Sequence, residues 1–506
     1  MKKPPAVHLK RSLALLESAK RNSDSVSIRW RAGGPASWSE ANPRWWVLKE
    51  RVWLEFRSEE IVRRMQIEAV TAKPWGIQIL LRDPKRPAGE ALDFEWQPSA
   101  QEAVSGGARL WDIVRHWLSS KFPAHRVVKA VKRSDRAQTL SRSFLRVRFR
   151  HGGKERFLIA ADRDAGEDMH RIVSQALLWI LALNSRILAK SAPLVYFLVP
   201  AGCRPVPMHR CRHLSRKRVK AEIWEYEDQG ADGLEIRRAA KPPAPEENRD
   251  YRWPVLGPFR WSPLLERVLN LAPDLIRRYP RFQDYDSLRL WGLEFAQVLG
   301  PERDRVCFGI GPQRTELTEE NFGSLESLVR EIVYYRRPDS PDILHPCYRL
   351  QAERWMEALI LEDVARVFPE MAPESVYSQI PAYLGKDPGR IDILGADRRG
   401  TLVVMELKVY PDPDLPLQAL DYWGRVIRHS RNGDFTRRGY FSEVRLNRQR
   451  PRIYLVAPVF SFHDSTEKLL RYFDPDLEIW KIAVNVDWRC GIKVLQRVRC
   501  RCGNQE

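Results

Sequence analysis

The chain has 506 residues, which is too long for one ordinary hydrophobic core, so several domains are expected. A hydrophobic fraction of 43% and an aromatic fraction of 10% exclude a disordered protein, and seven scattered cysteines exclude a disulfide framework. The formal net charge of +20 favours a polyanionic partner, because an excess of Lys and Arg attracts phosphates.

The apolar stretches predict buried helices rather than membrane spans. The longest one, residues 172–183, is interrupted by Ser174 and Gln175 and is too short to cross a bilayer. The N-terminus has charge but only the short apolar run LALL, so no signal peptide is predicted. Together with the free thiols, these features favour a cytoplasmic protein without a membrane partner.

The order of predicted elements indicates an α/β multidomain protein. Residues 1–125 are predicted to form a β-rich region, because segments such as WWVLKERVWLEF alternate apolar and polar residues. Residues 126–240 have the pattern strand, strand, helix, strand, strand. Residues 241–340 begin with the Pro-rich linker KPPAPEENRD and continue as a mostly helical connecting region with a short hairpin near VCFGIGPQRTELT. Residues 341–506 begin with helix, three strands, helix and strand.

Three short echoes indicate an internal repeat, since they occur in the same order in both halves of the chain. They are residues 175–183 with 418–423, 195–202 with 453–460, and 221–227 with 477–483. Two interpretations stay open, namely a chance similarity of αβ patterns and two copies of one fold.

A predicted hairpin carries the main candidate site. The segment TLVVMELKV, residues 401–409, is apolar on both faces up to Glu406, so it is predicted to be a buried central strand. Asp392 lies on the preceding strand, RIDILG, and the turn ADRRGT places it opposite Glu406. Two facing carboxylates repel each other unless a cation lies between them. We therefore predict a divalent metal at Asp392 and Glu406, with Lys408 beside them in an open cleft. A Glu406–Lys408 ion pair is the structural alternative.

The helix predicted at residues 352–368 carries a further carboxylate. Glu353 and Glu357 both lie in or beside its apolar arc. Glu357 is preferred as an added metal ligand or water-orienting group, with Glu353 as the second choice. An ion pair with Arg354 is the structural alternative.

The helix predicted at residues 415–431 carries auxiliary and binding residues. Gln418 and Tyr422 are four residues apart and share one face. Arg425 and Arg428 follow near that side and are predicted to contact the phosphates of a nucleic acid. A solvated basic helix end is the alternative interpretation.

These residues, in this order, resemble the PD-(D/E)XK nuclease superfamily. Asp392 is followed, fourteen residues later, by Glu406-x-Lys408. The helix glutamate and the Q-x-x-x-Y helix are similar to the RecB-type and NucS-like branches, and GRIDILGADRRGTLVVMELK resembles the NucS-like core most closely. One departure is Ile391, which stands where the motif has proline. The resemblance covers residues 345–485.

The resemblance implies a restriction-endonuclease-like fold with an αβββαβ core. It also implies a nuclease in which Glu357, Asp392, Glu406 and Lys408 are catalytic and Mg²⁺ or Mn²⁺ is the cofactor. The expected reaction is hydrolysis of phosphodiester bonds in DNA, with internal cleavage as the expected mode. The rival hypothesis is a non-catalytic nucleic-acid-binding or scaffold protein that retains the fold. Whether the substrate is DNA or RNA stays open. The oligomeric state also stays open, with a homodimer among the alternatives.

If the repeat is real, the first copy is predicted to be catalytically inactive. Matching residues 159–162 with 403–406 places Asp162 against Glu406 and Arg148 against Asp392. The same matching places Asp164 against Lys408. A basic residue then replaces a metal ligand, and an acid replaces the lysine.

Overall fold

The computed structural model is a mixed α/β protein with two compact units. These are Met1–His116 with Lys132–Ser134, and Trp117–Val131 with Asp135–Glu506. The structure describes residues 16, 26–30, 35–37, 43–48, 51–57, 62–73, 76–82, 90–96 and 104–502, the last range with gaps at 135–138, 184–191, 229–232, 240–261, 281–284, 301–304, 312–313 and 382–388. Within these residues, none of the helices has the length and apolar character needed to cross a membrane.

The first unit contains an antiparallel sheet of seven strands, so the predicted β-rich N-terminal region is confirmed. Val52 and Leu54 are buried on one strand, and Ile79 and Leu81 are buried on another. This spacing of two is what a sheet with one inward face requires. The strands are β1 (Val26–Trp30), β2 (Pro35–Ser37), β3 (Arg44–Leu48), β4 (Arg51–Arg57), β5 (Val62–Lys73), β6 (Gly76–Arg82) and β7 (Glu90–Trp96), in the order β2-β1-β7-β6-β5-β4-β3. The helix α1 (Val104–Lys121) follows in the chain.

The second unit contains two six-stranded sheets. The strands of the earlier one are β8 (Arg126–Val131), β9 (Phe144–His151), β10 (Lys154–Ala161), β11 (Leu194–Pro200), β12 (Lys220–Asp228) and β13 (Leu234–Arg238), in the order β13-β12-β11-β10-β9-β8. The helix α2 (Ile172–Ala182) connects β10 to β11, and α3 (Pro205–Cys211) connects β11 to β12. Strands β10, β11 and β12 are parallel, and the remaining pairs are antiparallel.

In chain order, the residues between the two six-stranded sheets form a five-stranded antiparallel sheet, where the sequence predicted a mostly helical connection. The hairpin predicted near VCFGIGPQRTELT is confirmed by the strands Arg305–Phe308 and Thr315–Glu316. The mostly helical character was wrong, because buried positions of the strands carry polar groups. Buried Asp286 pairs with Arg278, and buried Ser287 donates to Glu294, so the apolar alternation of a strand is broken. The linker at 241–250 lies outside the described residues. The elements are α4 (Pro263–Leu269), β14 (Ile276–Pro280), β15 (Tyr285–Leu290), β16 (Leu293–Leu299), β17 (Arg305–Phe308), β18 (Thr315–Glu316), α5 (Phe322–Tyr335) and α6 (Pro346–Arg349).

The later six-stranded sheet begins after two helices and has the order of helices and strands expected from the sequence. The elements are α7 (Ala352–Glu362), α8 (Val364–Val367), β19 (Met371–Pro381), β20 (Arg390–Asp397), β21 (Leu402–Leu407), α9 (Leu415–Arg431), α10 (Asp434–Arg437), β22 (Arg452–Pro458), α11 (Thr466–Leu470), β23 (Ile479–Val484) and β24 (Val494–Cys500), with the sheet order β19-β20-β21-β22-β23-β24. Strands β21, β22 and β23 are parallel, and the remaining pairs are antiparallel.

The two six-stranded sheets therefore share one strand order and one connectivity, as the predicted internal repeat requires. We call β8–β13 with α2 and α3 the first copy, and β19–β24 with α9 and α11 the second copy. In both, a helix follows the third strand and another follows the fourth. Pro200 and Pro458 end the fourth strands and match each other, and Gln175 and Gln418 are each the fourth residue of the helix before.

The two copies meet along a junction that is part of a single hydrophobic core. At its centre, Leu214 forms an antiparallel bridge with Phe473, and the Ser215 amide donates to the Tyr472 carbonyl at 2.7 Å. Buried Arg210 of α3 lies 2.9 Å from Asp414 and 2.7 Å from Asp421, which are also buried. The guanidinium thus bridges two carboxylates inside the junction.

Candidate active site

The hairpin of β20 and β21 has the register predicted from the sequence. Ile393 pairs with Met405 and Leu394 with Val404, and the same register places Asp392 opposite Glu406. The turn requires the glycine at position 400, which has a φ of 81° and where a Cβ would lie 2.1 Å from a carbonyl oxygen. The hairpin therefore brings the two predicted metal ligands to adjacent positions on one face of the sheet.

The prediction that these residues line an open cleft is wrong, because their side chains are buried. Asp392 is 4% exposed, Glu406 1% and Lys408 8%. The most exposed acid of the cluster is Glu353, whose side chain is 37% exposed. Solvent therefore reaches the site from the side of Glu353 and Lys408.

Arg354 holds the carboxylates of Glu357 and Asp392 together. Its Nη1 donates to Glu357 Oε2 at 2.9 Å and to Asp392 Oδ1 at 2.8 Å. The other oxygen of Asp392, Oδ2, accepts from the backbone amide of Leu407 at 2.9 Å. The sequence offered Arg354 only as an ion-pair partner of the helix glutamate, and its contact with the distant Asp392 was not predicted.

Gln379 is a second residue of the site that the sequence did not indicate. It lies on β19, and the register of β19 with β20 places it opposite Asp392. Its Nε2 donates to Glu357 Oε2 at 2.7 Å, and its backbone is left-handed with a φ of 55°. A left-handed non-glycine residue is strained and clusters at functional sites. Such strain has no signature in a single sequence.

Lys408 lies between the two remaining carboxylates. Its Nζ donates to Glu406 Oε1 at 3.0 Å and lies 3.8 Å from Glu353 Oε2. The other oxygen of Glu406, Oε2, is buried and accepts no hydrogen bond from the described part of the chain. Both helix glutamates thus belong to the cluster, with Glu357 on the side of Asp392 and Glu353 on the side of Lys408.

The pKa values follow from this crowding of charge. Burial and then the charge of Asp392 raise the pKa of Glu406 well above its usual range. Burial raises the pKa of Glu357 to about 7, although Arg354 opposes the shift. Burial alone would lower the pKa of Lys408, but the charges of Glu406 and Glu353 raise it, so the lysine stays protonated.

The predicted auxiliary pair lies beside this cluster. Gln418 Nε2 donates to the Tyr422 hydroxyl at 3.2 Å, as expected for residues four apart on a helix. Burial and then the charge of Glu406 raise the pKa of Tyr422, so its phenol stays protonated and can donate.

The two predicted phosphate-binding arginines lie in different surroundings. Arg425 is only 8% exposed and has its guanidinium 5.9 Å from the Tyr422 ring, and its charge adds to the burial that lowers the pKa of His209. It therefore belongs to the junction and not to an exposed surface. Arg428 is half-buried near the end of α9.

A second group of metal-ligand types lies elsewhere among the described residues. The donor atoms of Glu331, His345 and Cys347 lie within 4.8 Å of one another. His345 Nδ1 accepts from the Cys347 amide and caps α6, while its ring stacks on Tyr335. Burial raises the pKa of the Cys347 thiol to about 11, so it is not a thiolate. We interpret this group as a helix cap.

The first copy has no carboxylate at the positions that match Asp392 and Glu406. With Pro200 matched to Pro458, the strand registers place Ile159 at the position of Glu406 and Arg146 at that of Asp392. Ala161 then matches Lys408. The alignment from sequence, which used Asp162, Asp164 and Arg148, was therefore shifted by three residues on the third strand and by two on the second.

At the corresponding place in the first copy, side chains form hydrogen bonds with the backbone. Gln175 accepts from the Ser141 amide at 2.6 Å and donates to the Thr139 carbonyl at 3.0 Å. Arg146, which is 1% exposed, donates to the Ser141 carbonyl at 2.7 Å.

Comparison of the chain with models of protein families and with curated proteins gave no match.

Proposed function

We propose that the protein is a Mg²⁺- or Mn²⁺-dependent nuclease that hydrolyses phosphodiester bonds within DNA strands. The second copy then has a restriction-endonuclease-like fold, and its active centre consists of Asp392, Glu406 and Lys408 with Glu357. The proposal rests on the charges of these residues, on the contacts among them and on the resemblance of their order to the PD-(D/E)XK superfamily.

The observation that carries the proposal is a mostly buried cluster in which acidic groups outnumber basic ones. Four acids, Glu353, Glu357, Asp392 and Glu406, contact two cations, Arg354 and Lys408, and the charge of Arg289 also acts on Glu357. Burying carboxylates without enough positive charge costs several kcal/mol for each ion. The unused oxygen Oε2 of Glu406 adds a buried acceptor without a donor. A hard divalent cation with oxygen ligands corrects both defects.

Asp392 and Glu406 would hold the metal ion. When bound, the ion supplies a Lewis acid for a phosphoryl oxygen and lowers the pKa of water. Lys408 keeps its proton in this site and offers a positive charge to the phosphate or orients the water through a hydrogen bond. The phenol of Tyr422, oriented by Gln418, offers a further donor at the same face.

Arg354, Glu357 and Gln379 position Asp392. The guanidinium is fixed by Glu357, which is itself fixed by Gln379, so Asp392 is held in one rotamer. Buried and mutually bonded side chains of this kind keep a ligand in its working geometry. The raised pKa of Glu357 also makes this glutamate a candidate for holding a proton near neutral pH.

The first copy supplies a basic surface for the substrate. On its outer strands, Arg126 pairs with Arg150 and Lys129 pairs with Arg148, so like charges face each other. Glu155 lies 3.6 Å from Arg148 and 3.8 Å from Arg150, so one acid faces two of these arginines. Facing like charges destabilise a sheet, and the phosphates of a nucleic acid compensate for them. This surface would hold the substrate while the second copy cuts it.

One set of contacts favours the rival hypothesis of a non-catalytic nucleic-acid-binding protein. Arg354 already neutralises Asp392, and Lys408 already neutralises Glu406, so ion pairs within the protein satisfy part of the cluster. In that case Arg354 and Lys408 have structural roles only. The unused oxygen of Glu406 argues against this alternative.

A cleavage assay tests the proposal. The purified chain is incubated with duplex, single-stranded and branched DNA and with RNA, with Mg²⁺, with Mn²⁺ and with chelator. We expect cleavage of DNA only with metal. Asp392→Ala should lose metal binding and cleavage together, whereas Lys408→Ala should lose cleavage and keep metal and DNA binding. Variants that cut as fast as the parent would show that the active centre is wrong, and binding of DNA without cleavage would favour the rival.

A further inference from the structure

The junction between the two copies has approximate two-fold symmetry. In the matching of Pro200 with Pro458, Leu214 matches Tyr472 and Ser215 matches Phe473. These residues meet each other, because Leu214 bridges to Phe473 and Ser215 bonds to Tyr472. Each copy therefore presents the same stretch of chain to the other, as the subunits of a two-fold homodimer do.

The helices around the junction follow the same symmetry. Helix α3 of the first copy packs on α9 of the second, and α11 of the second packs on α2 of the first. Since α3 corresponds to α11 and α2 to α9, the two contacts are equivalent. The surface through which the second copy would pair with another such copy is thus already covered by the first copy of the same chain, around buried Arg210.

Only one of the two related positions can carry the chemistry. The second copy has Asp392 and Glu406 on its adjacent strands, whereas the first copy has Arg146 and Ile159 at the matching places. A buried guanidinium and the hydrocarbon side chain of Ile159 cannot hold a divalent cation. The described part of the two copies is therefore built like a dimer but has a candidate centre in the second copy alone.

We propose that one chain acts as a monomer and cuts one strand of a DNA duplex in each encounter. This inference rests on the proposed nuclease function. The two strands of duplex DNA are related by local two-fold symmetry, so a dimer with two equal sites reaches both strands. A molecule with the same symmetry but one competent site hydrolyses one phosphodiester bond and leaves a nick with the opposite strand intact.

The test uses supercoiled plasmid and the full-length chain with Mn²⁺, sampled over time and over a series of protein dilutions. Nicks convert the plasmid to open circles, whereas cuts of both strands give linear DNA. We expect open circles to exceed linear DNA by roughly tenfold or more while half of the plasmid is still supercoiled, because two nearby nicks on opposite strands are rare. Light scattering should give one chain for each molecule of a short bound duplex.

The outcomes separate the inference from the function on which it rests. Linear DNA that forms in parallel with open circles at every dilution, or two chains on one short duplex, would overturn the inference and leave the nuclease proposal standing. Neither product with either metal would overturn the nuclease proposal and the inference with it. The Glu406→Gln variant, prepared in the same way, should leave the plasmid supercoiled and so excludes a contaminating nuclease.

Discussion

The two copies have the same strand order and the same helices, but their central strands carry different chemistry. In the second copy, buried acids face each other and share two cations, whereas in the first copy the matching places hold Arg146, Ile159 and Ala161. The first copy shows that this plan folds without the acids. The charges of the second copy are therefore not needed for the fold, and because they are costly to bury, a function is the better reason for them.

The largest expected effect is a loss of the cleavage rate when the second copy, and not the first, is changed. Glu406→Gln should lower cleavage by roughly 10³-fold, because it removes a metal ligand. The variant should not melt earlier than the parent without metal, since burial and Asp392 already disfavour the charged form of this residue. The measurement is the initial rate of plasmid cleavage, together with the melting temperature.

The matched control is Ile159→Val, which changes the corresponding position of the first copy. Its cleavage rate should stay at the parental level, because this position is apolar and has no role in the proposed chemistry. Equal losses of activity in both variants would contradict the assignment of different roles to the two copies.

The next effect concerns the junction that joins the copies. Arg210→Met leaves Asp414 and Asp421 buried without their cation, which should lower the free energy of unfolding by about 3–5 kcal/mol. Denaturant unfolding measures this change. Arg330→Met removes an exposed ion pair with Glu326 and should cost less than about 1 kcal/mol. An unaffected Arg210→Met variant would mean that the copies do not depend on this contact.

The junction should also respond to acid. Burial, and then the charge of Arg425, lowers the pKa of His209 to about 3. Because the unfolded chain takes up the proton near pH 6.5, this histidine contributes stability above pH 6.5 that is lost as the pH falls toward its folded pKa. The loss should reach about 3 kcal/mol at pH 4.

The histidine can be isolated by comparing two pH profiles of unfolding. His209→Gln removes its titration, while nearby His213, whose pKa burial lowers to about 4, titrates in both proteins. The difference between the parent and the variant should therefore shrink from pH 6.5 to pH 4. A constant difference would show that His209 is accessible to protons in the folded protein.

The smallest expected effect concerns the helix behind the site and tests whether its Gln418–Tyr422 pair contributes to cleavage. Tyr422→Phe removes the hydroxyl that Gln418 orients, and the loss of one hydrogen bond of about 1 kcal/mol corresponds to a fall in cleavage of up to roughly tenfold. The readout is the cleavage rate at saturating metal. A rate equal to that of the parent would limit this pair to a packing role.

The sequence predicted what depends on local patterns and missed what depends on distant contacts. The turn ADRRGT and the apolar strands around it were enough for the register of Asp392 and Glu406, which is confirmed. The contact of Arg354 with Asp392 and the strained backbone of Gln379 involve residues from other elements, so no local pattern indicates them. The failure at residues 241–340 has a related cause, since its buried polar groups are satisfied only by partners on other strands.

The most direct test of the central claim is a crystal of the protein soaked in Mn²⁺, with anomalous diffraction to locate the ion. We expect an anomalous peak bound by Asp392 and Glu406, with Glu406 Oε2 among its ligands, and no peak at Arg146 and Ile159 of the first copy. A map without a peak at the second copy, in which Arg354 still binds Asp392, would contradict the assignment of a metal-dependent active centre to this cluster.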